Sequence, residues 1–529
     1  MLLLIILIVI INVIYGYNTH SNTQSNQYHH SLRMLYNNDY SINNINKNKN
    51  NRVMTLRGGS LSLLNKETPA IIKTLSSSLS SLSSTSNSLF NSLFVLLSST
   101  AVIWKLIESN KNKSNNDNKP AGVKNLQWRF LIVFWLMRMA DWLQGPYFYE
   151  VYSSKIINGA LVTPDLVSKL FLVGFASTGL FGAYLGRLVD TVGRKAGTLA
   201  YAALYTLGAL STRATTLPLL LLGRFAGGLG TSLLFSAPEA WLVGEYQKEG
   251  FQGNWLGQTF GWAYAGDSIV AITAGQLASV TAAKKGPTGP FTISVLFLAL
   301  GSLLASLLWK ENVAIVDNND STKKPNIGDA WKVMLADKKI MLVGAVQALF
   351  EGAMYIFVLQ WPPALKSSIF ASKFGPNASV PFGKVFSCFM ACCLLGSSAF
   401  GAIVSRGIAV ETMTTIMLGL ATVAMTLATI TGTNGLGLLI AAFFLFEACV
   451  GMYFPSIGTL RSKYIPDSHR SVIMNLFGIP LNLIVVSVFL SSRYLGIQGA
   501  LTCASVALGL ATASSIALGL ATSNTSNKK

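Results

Sequence analysis

Charge is scarce in this chain. Only 12% of its 529 residues are Asp, Glu, Lys or Arg, whereas 51% are hydrophobic and the mean hydropathy is +0.48. A soluble domain carries about twice that share of charge, so a water-soluble globular protein is excluded. Acidic residues are scarcer still, 21 against 40 basic, which leaves a net charge of +19. In a soluble chain that excess would point to nucleic acid; here the cations lie mostly in loops between apolar runs. Histidine is nearly absent: His20, His29 and His30 precede the apolar runs and His469 lies in a loop. No His ligand or His general base therefore stands inside a membrane, and a proton-coupled step would have to use a carboxylate. The five cysteines (Cys388, Cys392, Cys393, Cys449, Cys503) all fall within apolar runs. There they read as small packing residues, not as disulfides or metal ligands. No nucleophile–base pair, metal cluster or phosphate loop stands out, so no enzyme activity and no cofactor are expected. The glycines of Gly227-Gly228-x-Gly230 follow no strand and read as helix contacts.

What the chain has in plenty is long apolar runs. Six are counted at about 127–149, 165–186, 196–213, 217–240, 255–281 and 290–309, and six more at 339–361, 382–405, 410–430, 435–457, 470–492 and 496–520. Each reaches the length that crosses ~30 Å of hydrocarbon. The domain reading is thus a six-helix bundle over 126–309, a polar cytoplasmic linker over 310–338, a second bundle over 339–520 and a tail over 521–529. Equal halves imply duplication. Two weak echoes agree with it: Gln144-Gly145 with Tyr147 against Glu351-Gly352 with Tyr355, and Pro238-Glu239 against Pro455-Ser456.

Ahead of the bundles, residues 1–16 resemble a signal-peptide core without its basic start. Residues 17–86 are rich in Asn and Ser and cannot bury a core, so disorder is expected there. They fit either a lumenal tail or the leader of a plastid acquired by secondary endosymbiosis. Residues 87–107 form an additional spanning helix. It returns the chain to the side where Lys111, Lys113, Lys119 and Lys124 lie, as the positive-inside rule requires. Asn377-Ala378-Ser379 falls in the loop between runs seven and eight, which parity places outside, so Asn377 is a glycosylation candidate.

The loop Gly186-Arg187-Leu188-Val189-Asp190-Thr191-Val192-Gly193-Arg194-Lys195 is too short to do anything but fold its flanking helices into a hairpin, and its cations hold it inside. Its G-x-L-x-D-x-x-G-R-K pattern resembles the loop between spans two and three of the major facilitator superfamily. That resemblance implies a latch of Gly186, Asp190, Gly193 and Arg194, joined by Glu239 at the end of span four, which opens and closes as the halves rock.

Ionisable residues within the runs are costly unless they are paired or line water. Arg138 and Asp141 share span one at i, i+3 and can neutralise each other. Arg224 stands in span four, Asp267 in span five beside Gly266, Glu351 in span seven and Glu447 in span ten. For Arg224 both a cavity lining and a buried ion pair remain open. For Asp267 a place at a kink is the plainer reading.

Further runs together resemble a narrower group, the molybdate-anion transporters of that superfamily: Ala140–Tyr147, Ser232–Val243, Gln347–Gly352, Phe446–Gly451, Phe454-Pro455-Ser456, Arg461–Pro466, Met474–Phe477 and Ile479–Asn482. The likeness covers about 87–520. It implies an all-α polytopic membrane protein of the major facilitator fold, two six-helix bundles with an extra N-terminal helix, moving molybdate or a related oxyanion by alternating access. The implied partners are that oxyanion, the lipid bilayer and a coupling proton or ion. The alternatives are a carrier of sugar or organic anion on the same fold, or a non-transporting receptor or scaffold. The plasma membrane is the expected location, with a plastid envelope or another endomembrane as the alternative. The expected substrate site is Arg224 with Glu351 and Glu447, together with Asp141 and Arg138. Gly478 and Gly261-Trp262 stand where that group tends to carry basic residues, and Arg138 is the candidate replacement donor.

Overall fold

The computed structural model describes residues 85–111, 120–251, 253–313, 327–432, 435–466 and 470–526. The signal-like segment 1–16 and all but the last two residues of the Asn/Ser-rich leader lie outside them. So do 314–326 of the linker and 527–529 of the tail.

Contacts divide the chain into Met1–Ser92 and Leu93–Lys529. In the first unit, Thr85 and Ser88 exchange backbone N–H to side-chain oxygen bonds of 3.2 Å at the start of helix α1 (Ser86–Lys111). This reciprocal arrangement satisfies donors that a helix N-terminus leaves open. The Ser86–Trp104 stretch of α1 is long and apolar enough to span a bilayer.

The second unit is helical for the reason any bilayer-spanning chain is: hydrocarbon offers no partner to backbone N–H and C=O groups, so each run must satisfy its own. Span one is α2 (Ala121–Gln144), prolonged by a 3-10 turn (Gly145–Tyr147) and α3 (Phe148–Ser153). A two-stranded hairpin follows, β1 (Ile156–Ile157) against β2 (Ala160–Leu161), and its Asn158-Gly159 turn supplies the positive φ angles (53° and 80°) that such turns require. Span two is α4 (Pro164–Val192), started by Pro164 and by the Thr163 hydroxyl accepting from Leu166 N–H. Span three is α5 (Arg194–Ser211), and span four is broken at Phe235-Ser236 into α6 (Leu217–Leu234) and α7 (Ala237–Lys248). Spans five and six are α8 (Gly253–Lys285) and α9 (Gly289–Leu308).

After the linker helix α10 (Ile327–Ala336) come spans seven to ten, α11 (Lys338–Ala371), α12 (Phe382–Val404), α13 (Val410–Thr431) and α14 (Leu436–Tyr464). Spans eleven and twelve are α15 (Arg470–Leu490) and α16 (Ser492–Ser526), the latter kinked at Gly496 (φ 60°).

The packing repeats. In the first half α2 packs on α8 and α9, α4 and α5 pack on α6, and α5 packs on α9. In the second half α11 packs on α15 and α16, α12 and α13 pack on α14, and α13 packs on α16. Each pairing of span n with span m recurs as n+6 with m+6. The halves meet where α8 lies on α12 and α4 on α15, which exchange under the same operation. Twin six-helix bundles are therefore present, as the spacing of apolar runs predicts.

Among the described residues nine helices, α1 included, are long and apolar enough to cross a membrane on those criteria alone. The four spans that fall short are α2, α5, α8 and α15. Two of them have an evident reason, since α2 contains Lys124, Arg129, Arg138 and Asp141, and α8 contains Asp267 and ends in Lys284-Lys285. The least apolar spans include those that hold the buried charges described next.

Candidate functional site

In the first half the charges converge on Arg138. Its guanidinium donates through Nε to Asp267 Oδ1 (2.9 Å) and through Nη2 to Oδ2 (2.8 Å), while Nη1 stands 3.5 Å from Asp141 Oδ2. Trp142 Nε1 donates to Asp267 Oδ1 at 2.8 Å, and the Tyr205 hydroxyl donates to Asp141 Oδ1. Three spans thus supply one network, with the Trp142 ring and the Phe235 ring at the break in span four against the guanidinium at 4.9 and 5.3 Å. Arg138 and Asp267 are each only 7% exposed, so these charge-assisted bonds act in a low dielectric.

The close approach of α2 to α8 depends on Gly266. A Cβ there would run into the indole of Trp135, whose Nε1 instead donates to Ala263 O at 3.0 Å. Asp267 is thus not simply a residue at a kink; it is the main partner of Arg138. Asp141, expected as that partner, makes the longer contact. With both edges of its fork taken by carboxylates, Arg138 is not a free donor for an anion.

Arg224 is placed differently. It lies on α6 in the outer third of span four, half-buried, with its guanidinium over the Phe148 and Phe171 rings (4.5 and 5.3 Å), beside Tyr152, and its Nε donating to Leu170 O at 3.3 Å. Gly174 of α4 leaves the space it fills, since a Cβ there would collide with the guanidinium. Among the described residues no carboxylate pairs with it.

In the second half Glu351 of α11 accepts from Tyr453 OH (2.8 Å) and from Arg461 Nη2 (3.3 Å), and Arg461 Nε donates to Gln347 Oε1 (2.9 Å). Facing helices α11 and α14 supply all four side chains. Sequence reasoning misses Arg461 and Gln347 as site residues, because the Arg461-Ser462-Lys463 cluster reads as one more basic helix end. The usable signal is that Arg461 and Gln347 both lie inside runs that carry the family resemblance. Glu447 of α14, only 7% exposed, makes no hydrogen bond or ion pair with the described residues.

The residues expected to form the hairpin latch are only partly brought together. Arg194 pairs with Asp190, Nη2 to Oδ1 at 3.0 Å. Gly193 adopts φ 138° against the Glu311 carboxylate, which occupies the position a Cβ would need, and Gly186 faces open space. Glu239 does not join them; it accepts from the Tyr264 hydroxyl of α8. The carboxylate that meets the hairpin is Glu311, which accepts from Lys195 N–H (2.8 Å) and Ala196 N–H (2.9 Å) at the N-terminus of α5. That end of the helix favours negative charge. Lys195 Nζ in turn donates to Ser306 O and Trp309 O at 2.9 Å each. This latch ties span six to the hairpin within one half.

Links between the halves lie away from the hairpin face. Lys366 bridges to Glu150 at 3.2 Å, Phe175 contacts Tyr355 and Phe489 (4.8 and 5.9 Å between centroids), Tyr147 contacts Phe382 (5.9 Å), and Ser387 Oγ donates to Ile272 O at 2.8 Å. On that same face a cavity of about 580 Å³ is lined by Tyr149, Thr163, Ser168, Gln360 and Arg493 among others. Asn377 is exposed in the loop between α11 and α12. A Cβ on Gly261 would meet no atom and one on Gly478 only Asn482 at 3.9 Å, so no cation fills either place.

Twin bundles with charges turned inward define a membrane transporter of the major facilitator type. Known proteins agree. Residues 89–435 match a family of sugar transporters with 12 transmembrane segments. The chain is 30% identical to a molybdate-anion transporter of Xenopus tropicalis over 410 residues, 75% of this chain and 86% of that one. It is 30% identical to the molybdate-anion transporter of Takifugu rubripes over 389 residues, 68% and 78% of the two. The crystal structure of the nucleoside transporter NupG superposes with a TM-score of 0.55 at 13% identity, over 75% of this chain and 98% of that one. The chain belongs to the molybdate-anion transporter family of the major facilitator superfamily.

Proposed function

We propose that this transporter carries molybdate or a related tetrahedral oxyanion by alternating access, and that Arg224 is the principal cation of its site. The observation that carries this reading is the pairing pattern. Of the arginines within spans one, four and ten, Arg138 and Arg461 are neutralised by carboxylates. Arg129, which donates to Leu308 O at 3.4 Å, and Arg224 have no carboxylate among the described residues, and Arg224 stands in the outer part of span four with its guanidinium over the Phe148 and Phe171 rings. A dianion supplies the missing counter-charge and fits a planar fork of donors. Glu351 and Glu447 shape the second-half wall, and the Arg138–Asp141–Asp267 network fixes spans one, three and five around it. The state described has its halves joined on the face opposite the hairpin; with the positive-inside rule, that is a cytoplasm-facing state. The plasma membrane is the location we favour.

The test is labelled molybdate flux into proteoliposomes. Tungstate and sulfate should compete and hexoses should not. Arg224→Gln should weaken apparent affinity about 10- to 100-fold, the loss of about 1.5–3 kcal/mol of charge-assisted bonding. A second reading, a sugar carrier, is favoured by the family description and by the exposed aromatic side chains Phe235, Tyr264 and Phe454. Competition by hexoses would select it, and absence of any flux would select a receptor or scaffold.

A further inference from the structure

Nearly every carboxylate inside the spans has a partner. Asp141 and Asp267 face Arg138, Glu351 faces Arg461, Glu150 faces Lys366, Glu239 accepts from Tyr264, and Glu411 accepts from Lys463 and Tyr464. Glu447 has no such partner among the described residues. It lies midway along α14, more than nine-tenths buried. From α12 the titratable groups near it are the thiols Cys392 and Cys393, and Cys393 also lies within electrostatic reach of Asp267 on α8. α12 otherwise carries Lys384, near its outer end, and Cys388. α11 packs aromatic rings here: Phe350 and Phe357 lie 6.0 and 4.8 Å from Phe446. Between those two rings along α11 come the ionisable Glu351, bound to Tyr453 and Arg461, and Tyr355, whose ring meets Phe175. α13 holds one ionisable side chain, Glu411, engaged at the opposite end. α14 itself adds Cys449 and Tyr453. Among the described residues no cation faces Glu447.

An ionised carboxylate without counter-charge or donor is costly in such surroundings. The site is also rigid. A Cβ on Gly451 would enter the backbone of Cys393, and one on Gly396 that of Ala448, so α12 and α14 move as one body. Glu447 therefore stays fixed to this α12–α14 pair.

We propose that Glu447 is a proton-binding site of the transport cycle, protonated in the state described and releasing its proton when the halves rearrange, so that proton and oxyanion move together. This rests on the transporter reading above. Moving one proton with a dianion lowers by one the charge carried against a negative interior. An inward gradient of one pH unit then supports about tenfold accumulation per proton.

The experiment uses the full chain in liposomes and has two arms. The first needs no substrate: the infrared difference between wild type and Glu447→Gln at neutral pH should show a protonated-carboxyl stretch lost in the variant. Its absence from wild type overturns the proposal. The second compares molybdate exchange at equal pH with uptake under an acid-outside gradient, each variant referred to its own exchange rate. Wild type and Glu447→Asp should be accelerated by the gradient and Glu447→Gln should not; acceleration of the Gln variant overturns the proposal. A wild type that moves no molybdate at all would overturn the substrate reading instead, and the infrared arm then decides on Glu447.

Discussion

Removing one member of the Arg138 network should cost stability in a defined order. Asp267→Leu deletes the acceptor of two guanidinium bonds (2.9 and 2.8 Å) and of the Trp142 N–H (2.8 Å), leaving Arg138 with Asp141 at 3.5 Å. Taken singly, two charge-assisted bonds would sum to about 3–6 kcal/mol. The side chain can swing toward Asp141, so the lower part of the range measured for broken buried pairs, about 3–4 kcal/mol, is expected. Arg138→Met should cost more, because it leaves Asp141 and Asp267 buried together with no cation between them. The double variant Arg138→Met/Asp267→Leu leaves only Asp141, still held by Tyr205, so its cost should fall below the sum of the singles by about 2 kcal/mol or more. Unfolding of the detergent-solubilised protein, followed by tryptophan fluorescence against denaturant, measures all three. The reasoning fails if Asp267→Leu costs under about 1 kcal/mol, or if the double variant is simply additive.

The Lys366–Glu150 bridge is partly exposed, 34% and 20% by side chain, so it should be worth about 0.5–1 kcal/mol to the joined outer face. Glu150→Gln should therefore raise the outward-open population about two- to fivefold, read from distances between spin labels on the outer ends of spans two and eleven; an unchanged distribution would count against it. Gly451→Ala should lower the yield of folded protein sharply, since its methyl would enter the α12 backbone; normal thermal stability of this variant would contradict the packing described. Expressed in a secretory-route host, the chain should carry a glycan removable by an endoglycosidase, and Asn377→Gln should abolish the mobility shift. A shift that survives the substitution would refute the assignment.

The hairpin loop shows how far local reading reaches. Asp190 and Arg194 sit four apart on a short segment, so their pairing follows from spacing alone. The third member does not follow, because both Glu239 and Glu311 lie far from the hairpin along the chain and spacing cannot choose between them. Only the packing of α9 beside α5 brings Glu311 to the helix start and leaves Glu239 to Tyr264. Asp267 is a similar case. Nothing within its own span announces Arg138, which lies 129 positions away.

Taken alone, the order of residues indicated which apolar runs become helices and which loops carry cations, although helices such as α11, which continues to Ala371, run past the end of their apolar run. Those properties depend on transfer of short segments from water to hydrocarbon, and each segment is judged by its own composition. Tertiary structure alone decided which buried charge answers which. Partners such as Arg138 and Asp267, or Glu351 and Arg461, come from different spans, and their meeting depends on the few glycines that let two helices approach. For the same reason only the assembled bundles reveal that Glu447 has no counter-charge among the described residues, because the want of a partner is a property of every neighbouring helix at once.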